Sequence, residues 1–122
     1  MPWEFRSDTP IYSQLVDQLQ RRLVTGELTP GQRLPSVREL AGEAGVNPNT
    51  MQRAMAELER RGLVFSQRTS GRFVTEEESL INGLREQLAR RQAEEFLRGM
   101  NRLGFAPEEI LPFLEKVRKE II

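Results

Sequence analysis

Two short amphipathic segments joined at a glycine, residues 36 to 62, constrain this chain more than any other feature. Ser36 followed three residues later by Glu39 is a capping box, in which hydroxyl and carboxylate each satisfy an amide left without a partner at a helix start. Val37, Leu40, Ala41 and Ala44 then share one apolar face. Gly45 lets the chain turn, Val46 is available to fill the space between helices, and Asn47-Pro48 supplies a cap and a first-turn proline for the next helix. Met51, Ala54, Met55 and Leu58 recur at helical spacing on the inward side, and Gly62 ends the segment. Helix, tight turn and second helix at this spacing make a helix-turn-helix. The outward face carries Asn49, Gln52, Arg53, Ala56 and Arg60. Amides, a hydroxyl at Thr50 and guanidinium groups are the side chains that reach base edges and phosphates when such a helix enters a DNA groove.

The flanking sequence extends this unit into a winged form. Asp8-Thr9-Pro10 reads as a cap with a first-turn proline, ahead of a stripe of Ile11, Leu15, Val16, Leu19, Leu23 and Val24 that ends at Gly26. Residues 28 to 35 form a connector rich in proline and glycine. After Gly62, residues 63–67 and 72–75 read as two short strands around Arg68-Thr69-Ser70-Gly71, a hairpin that forms the wing. Arg68 and Arg72 flank the hairpin turn. Gly71 either supplies positive φ there or permits close backbone approach to a ligand, and the two roles are compatible.

From Glu76 the composition changes. A long helix is expected with Leu80, Ile81, Leu84, Leu88, Ala93, Phe96, Leu97, Met100 and Leu103 on its apolar side, stopped by Gly104. A last helix from Ala106-Pro107 carries Ile110, Leu111, Phe113, Leu114, Val117 and Ile121. Pro112 falls inside that pattern, so either the helix kinks there or it begins there. Two helices of this length cannot close a core between themselves, which makes a second copy of the chain the simplest cover for the remaining apolar surface. The expected fold is therefore mainly α with a small β-hairpin: a winged helix-turn-helix over residues 1–75 and a short C-terminal two-helix dimerisation region over 76–122. Leu84, Leu88, Phe96, Met100, Leu103, Phe113, Leu114 and Val117 are the candidate dimer residues. Phe96, Met100, Phe113 and Leu114 are also the apolar groups an effector pocket would use, although two short helices leave little concave volume.

Composition removes several functions. The chain has no cysteine and no histidine, which takes away disulfides, the usual zinc sites, thiol nucleophiles and imidazole bases together. No cofactor or metal is expected, and no enzymatic activity. No apolar run is long enough to span a bilayer and no leader pattern opens the chain, so a soluble, cytoplasmic protein without a membrane partner is expected. Net charge is zero, but residues 1–75 hold ten Arg against eight Asp and Glu, and 76–122 hold eight Lys and Arg against ten Glu. The front part is mildly basic and its cations are all arginine, whose planar fork suits phosphate and guanine.

With these residues placed, the chain resembles the GntR family of bacterial transcription regulators, and its short tail resembles the YtrA-type subfamily. The matching stretches are Pro10-Ile11-Tyr12-Ser13-Gln14-Leu15, residues 26–41 with Leu34-Pro35-Ser36-Val37-Arg38-Glu39-Leu40-Ala41 at their end, and Asn49-Thr50-Met51-Gln52-Arg53-Ala54. Leu103-Gly104-Phe105-Ala106-Pro107-Glu108-Glu109 is similar to the tail junction of the YtrA type. The resemblance implies a homodimer on a palindromic double-stranded DNA operator, commonly as a repressor, with a small-molecule effector left open. It also implies that Arg38 meets a guanine or a phosphate, that Asn47, Asn49 and Thr50 enter the major groove, and that Gly71 comes close to the DNA. Two positions depart from the family pattern: Pro48 stands where many relatives carry a base-contacting arginine, and Thr69 where they carry a wing glycine. Proline has no donor, so base reading shifts onto Asn47, Asn49, Gln52 and Arg53. A winged helix that serves only as a protein-protein interaction module is the alternative, distinguished by salt-insensitive behaviour toward duplex DNA.

Overall fold

The computed structural model describes residues 2–122. Five helices and one hairpin follow in order: α1 Ile11–Val24, α2 Val37–Ala44, α3 Pro48–Arg60, β1 Val64–Gln67, β2 Gly71–Val74, α4 Glu78–Arg102 and α5 Pro107–Ile121. The chain divides into two compact units after Arg85. The division falls later than the composition shift at Glu76, because the first turns of α4 belong to the first unit and bury Ile81 and Leu84.

In the first unit α3 is the central element, packed by α1, α2 and β1. Leu15, Leu19 and Leu23 of α1, Leu40 and Ala41 of α2, and Met51, Ala54, Met55 and Leu58 of α3 are all buried, joined by Leu34, Leu63, Val64 and Val74. Both helices of the turn motif start as their caps require. Glu39 N–H donates to Ser36 Oγ at 3.1 Å and Ser36 N–H to Glu39 Oε1 at 3.3 Å. Asn49 N–H donates to Asn47 Oδ1 at 2.8 Å, and Gly45 adopts φ +70° at the turn. The exit from α3 is a Schellman closure: Leu63 N–H reaches Leu58 O and Gly62 N–H reaches Glu59 O, each at 3.0 Å, with Gly62 at φ +78°. That closure directs the chain straight into β1.

The wing pairs Val64 with Val74, Phe65 with Phe73, Ser66 with Arg72 and Gln67 with Gly71. Phe65 and Phe73 stack with centroids 5.7 Å apart. Gly71 is the first residue of β2 rather than part of the turn, and its φ is +104°. The connector is more ordered than its composition suggests. Arg33 makes an antiparallel bridge to Phe73, with Leu34 N–H to Arg72 O at 2.8 Å and Val74 N–H to Gln32 O at 2.9 Å, so residues 32–34 act as a third edge of the wing.

One expectation about helix starts is corrected, and of the two alternatives at Pro112 the later start is ruled out. Asp8 does not cap α1; the N-cap is Pro10, without a side-chain cap bond, and Asp8 instead pairs with Arg6 at 3.3 Å. The approach to α1 is held by Gln14, which accepts from Arg6 N–H at 2.7 Å and donates to Arg6 O at 2.8 Å and Thr9 O at 2.9 Å. A buried amide side chain thereby ties down the incoming segment without capping the first-turn amides of α1, and no local pattern marks it. Pro112 does not start α5, which begins at Pro107 and runs through Pro112 to Ile121. Pro107 is pre-set for a first turn and Ala106 N–H donates to Glu109 Oε1 at 2.8 Å, so initiation is satisfied before Pro112 is reached.

In the second unit α4 ends at a second Schellman closure, with Phe105 N–H to Met100 O at 3.1 Å, Gly104 N–H to Asn101 O at 3.0 Å and Gly104 at φ +92°. Phe105 then meets Phe113 of α5 with ring centroids 5.0 Å apart. Among the described residues no helix is long and apolar enough to cross a membrane.

Candidate nucleic-acid interface

Asn49, Gln52, Arg53, Ala56 and Arg60 form the exposed face of α3, opposite its buried side, and Thr50 is half-buried at the helix start. Asn47 is exposed too, but its Oδ1 is already engaged as the cap by Asn49 N–H. Arg38 is exposed on α2, and Arg68 on the wing turn. Arg33, Arg38, Gly71 and Arg72 line one concavity together with Pro35 and Ser36, so the start of α2 and the wing are brought to the same place. Gln52 and Arg53 lie along α3 instead.

Ion pairing separates the arginines of this unit into two groups. Arg6, Arg21, Arg22, Arg60, Arg61 and Arg72 each have a carboxylate within 4.0 Å. Among the described residues, Arg33, Arg38, Arg53, Arg68 and Arg85 have none. The first four sit beside the wing, on α2, on α3 and at the wing turn, and Arg85 sits on α4. A cation without a counter-ion in the protein keeps its whole charge for an external anion.

Glu57 decides which cations stay free. At four residues from Arg53 it is spaced for a helical ion pair, yet it accepts instead from Arg60 Nε at 2.9 Å and from Arg61 Nε at 2.6 Å. The hydrogen bonds from Arg60 and then Arg61 push its carboxyl down to about 2. Arg53 turns away and lies over Tyr12, its guanidinium carbon 4.6 Å from the ring centroid. Tyr12 therefore belongs to the neighbourhood of the outward face of α3, although only its place in the matched motif distinguishes it in the sequence.

Arg72 has a different environment from Arg68. Its Nε donates to Glu59 Oε1 at 3.2 Å, and Ser66 Oγ donates to the same oxygen at 2.7 Å. The bond from Ser66 foremost, with the bond and charge of Arg72, holds the Glu59 carboxyl below the usual range against the opposing effect of burial. Glu59 thus braces both strands of the wing to the C-terminal end of α3. One of the five N–H groups of Arg72 is committed to that brace.

The bacterial regulatory proteins of the gntR family match residues 11–74, the span that holds the candidate interface residues from Tyr12 to Arg72. The chain belongs to the GntR family. GntR regulators are DNA-binding proteins, and this one is similar to the HTH-type transcriptional regulator YhcF of Bacillus subtilis, 45% identical over 88% of this chain and 89% of YhcF. It is also similar to the transcriptional repressor YtrA of the same organism, 45% identical over 58% of this chain and 55% of YtrA. Among solved structures, a GntR family regulator from Listeria monocytogenes covers 92% of this chain and 98% of its own at 38% identity and a TM-score of 0.85. The DNA-binding domain of AraR in complex with operator ORR3 covers 62% of this chain and 90% of its own, at 28% identity and a TM-score of 0.53. The GntR chain is a transcriptional regulator and not an enzyme, and its winged helix is the expected fold.

The candidate dimer residues of the GntR tail fall into two sets. Leu84, Leu88 and Met100 are buried within the chain, and Leu114 and Val117 are half-buried. Phe96 and Phe113 are exposed, and Leu103 is 75% exposed, alongside Leu111 at 73% and Ile121 at 75%. Among the described residues no group of three or more acidic, histidine or cysteine side chains is arranged to hold a metal.

Proposed function

We propose that this GntR protein is a repressor that binds a palindromic operator as a homodimer, inserting the start of α3 into the major groove and laying the wing along the backbone. The observation that carries this reading is that, of the first unit's five arginines without a carboxylate partner among the described residues, four lie beside or on the wing, on α2 and on the outward face of α3. Arg38, Arg68 and, in part, Arg72 supply backbone or guanine contacts. Asn47, Asn49, Thr50, Gln52 and Arg53 supply base-edge donors and acceptors, and Gly71 allows close approach of the wing. The similarity to YtrA, described as a repressor, and to the operator-bound domain of AraR supports the same reading.

Dimerisation is carried in this proposal by Phe96, Leu103, Leu111 and Phe113, apolar side chains that the chain itself leaves open. A second copy is the cover that also presents two recognition helices to two half-sites. The test is a salt titration of binding to duplex DNA. Affinity should fall steeply, with a log–log slope of about −0.9 for each phosphate contacted. A protein whose DNA binding is absent, or insensitive to salt, would fit the protein-interaction alternative and defeat the proposal.

A further inference from the structure

We infer that Arg33, together with Arg38, forms a seat for one backbone phosphate of duplex DNA at the junction of the wing and α2. This rests on the DNA-binding reading above and adds to it a residue that the helix-turn-helix pattern leaves in a connector. Three observations converge on it. The backbone of Arg33 is fixed rather than loose, because it bridges Phe73 and is bracketed by the Gln32 and Leu34 bonds to β2. Its guanidinium lies against the wing glycine: a Cβ built on Gly71 would stand 3.3 Å from Arg33 Nε and 3.6 Å from Nη2. Arg33 and Arg38 line the same concavity, and among the described residues neither has a carboxylate within 4.0 Å.

The charged groups there leave the concavity positive. Glu39 lines it and keeps its negative charge while its Oε1 accepts from Ser36 N–H in the capping box, but it stands against three guanidinium groups. Arg72 adds a third guanidinium, tied through Nε to Glu59. Two counter-ion-free guanidinium groups facing one concavity suit a tetrahedral oxyanion, since each fork offers paired N–H donors to two oxygens. The phosphodiester of B-form DNA is the anion that a wing and a recognition helix bring to this point, and such a contact fixes position without reading sequence. Gly71 acquires a second role here. Any side chain at that position would press on the Arg33 guanidinium, besides being strained at φ +104°.

The experiment uses the full chain and its Arg33→Gln and Arg33→Lys variants, on an operator duplex and on an unrelated duplex of equal length, each across a salt series. Arg33 is exposed, so the fold should persist in both variants, which a thermal melt verifies. For Arg33→Gln affinity should be lower at low salt, and the slope of log affinity against log salt should become shallower by about 0.9, so that wild type and variant converge by about eightfold per decade of rising salt. The loss should be equal on both duplexes, and Arg33→Lys should keep the wild-type slope. An unchanged slope in Arg33→Gln, or a loss confined to the operator, overturns the phosphate seat while wild-type binding leaves the repressor reading intact. Failure of the wild type itself to bind either duplex overturns both.

Discussion

The guanidinium of Arg53 rests over the ring of Tyr12 at 4.6 Å, joining the outward face of α3 to the first turn of α1. A cation held on an aromatic face loses fewer rotamers when it meets its target, and such a contact at an exposed site contributes about 0.5–1 kcal/mol. Tyr12→Phe keeps the ring and should leave operator affinity unchanged. Tyr12→Leu should weaken it by about twofold to fivefold, the same energy expressed as a ratio. In an Arg53→Met background Tyr12→Leu should have no further effect. Additive losses in that double-mutant cycle would show that the ring does not act through Arg53.

Glu57 carries a pH signature. Its carboxyl is lowered from 4.5 to about 2 by Arg60 and Arg61, so it binds its proton less readily folded than unfolded. The stabilisation is present above the unfolded value and is lost as pH falls through the folded one. The difference in melting temperature between wild type and Glu57→Gln should be flat above about pH 5 and shrink toward zero as pH falls to about 2. A difference that persists unchanged at pH 2 would contradict the pairing. The same variant releases Arg60 and Arg61, and should bind non-specific duplex more tightly with a steeper salt dependence.

The wing depends on the core beneath it. Met51 is fully buried on α3, and Met51→Ala should cost about 2–5 kcal/mol in urea unfolding. Gly62→Ala should cost about 1 kcal/mol, because the Schellman closure holds that residue at φ +78°. A Gly62→Ala protein of wild-type stability would mean that the exit from α3 relaxes without consequence.

Leu103 and Leu111 are largely exposed, so the double variant Leu103→Asp, Leu111→Asp should fold normally and sediment as a monomer at micromolar concentration. Its operator affinity should fall by more than tenfold, since two half-sites no longer share one protein. Wild-type sedimentation of that variant would place the dimer contact elsewhere.

What could be read from the sequence was whatever is local in the chain. The Ser36–Glu39 box, Asn47-Pro48, Gly62 and Gly104 act on neighbouring backbone groups, and each stands where its chemistry requires. Relationships through space were not legible. The Gln14 clasp on Arg6, the Glu59–Arg72 brace across 13 residues and the Arg33 bridge to Phe73 join positions whose proximity exists only after folding. The pairing of Glu57 was ambiguous for another reason: α-helical spacing offers it Arg53, Arg60 and Arg61 alike. Geometry at the helix end selects the last two.

Selection of bound sequences from a random duplex pool by the purified full chain tests the central claim most directly, since it reports specificity, symmetry and spacing together. The expected result is an inverted repeat with half-site centres about one DNA turn, roughly 34 Å, apart. A pool that emerges unenriched, or that yields a single asymmetric site, would contradict a dimeric operator-binding protein that reads DNA through α3.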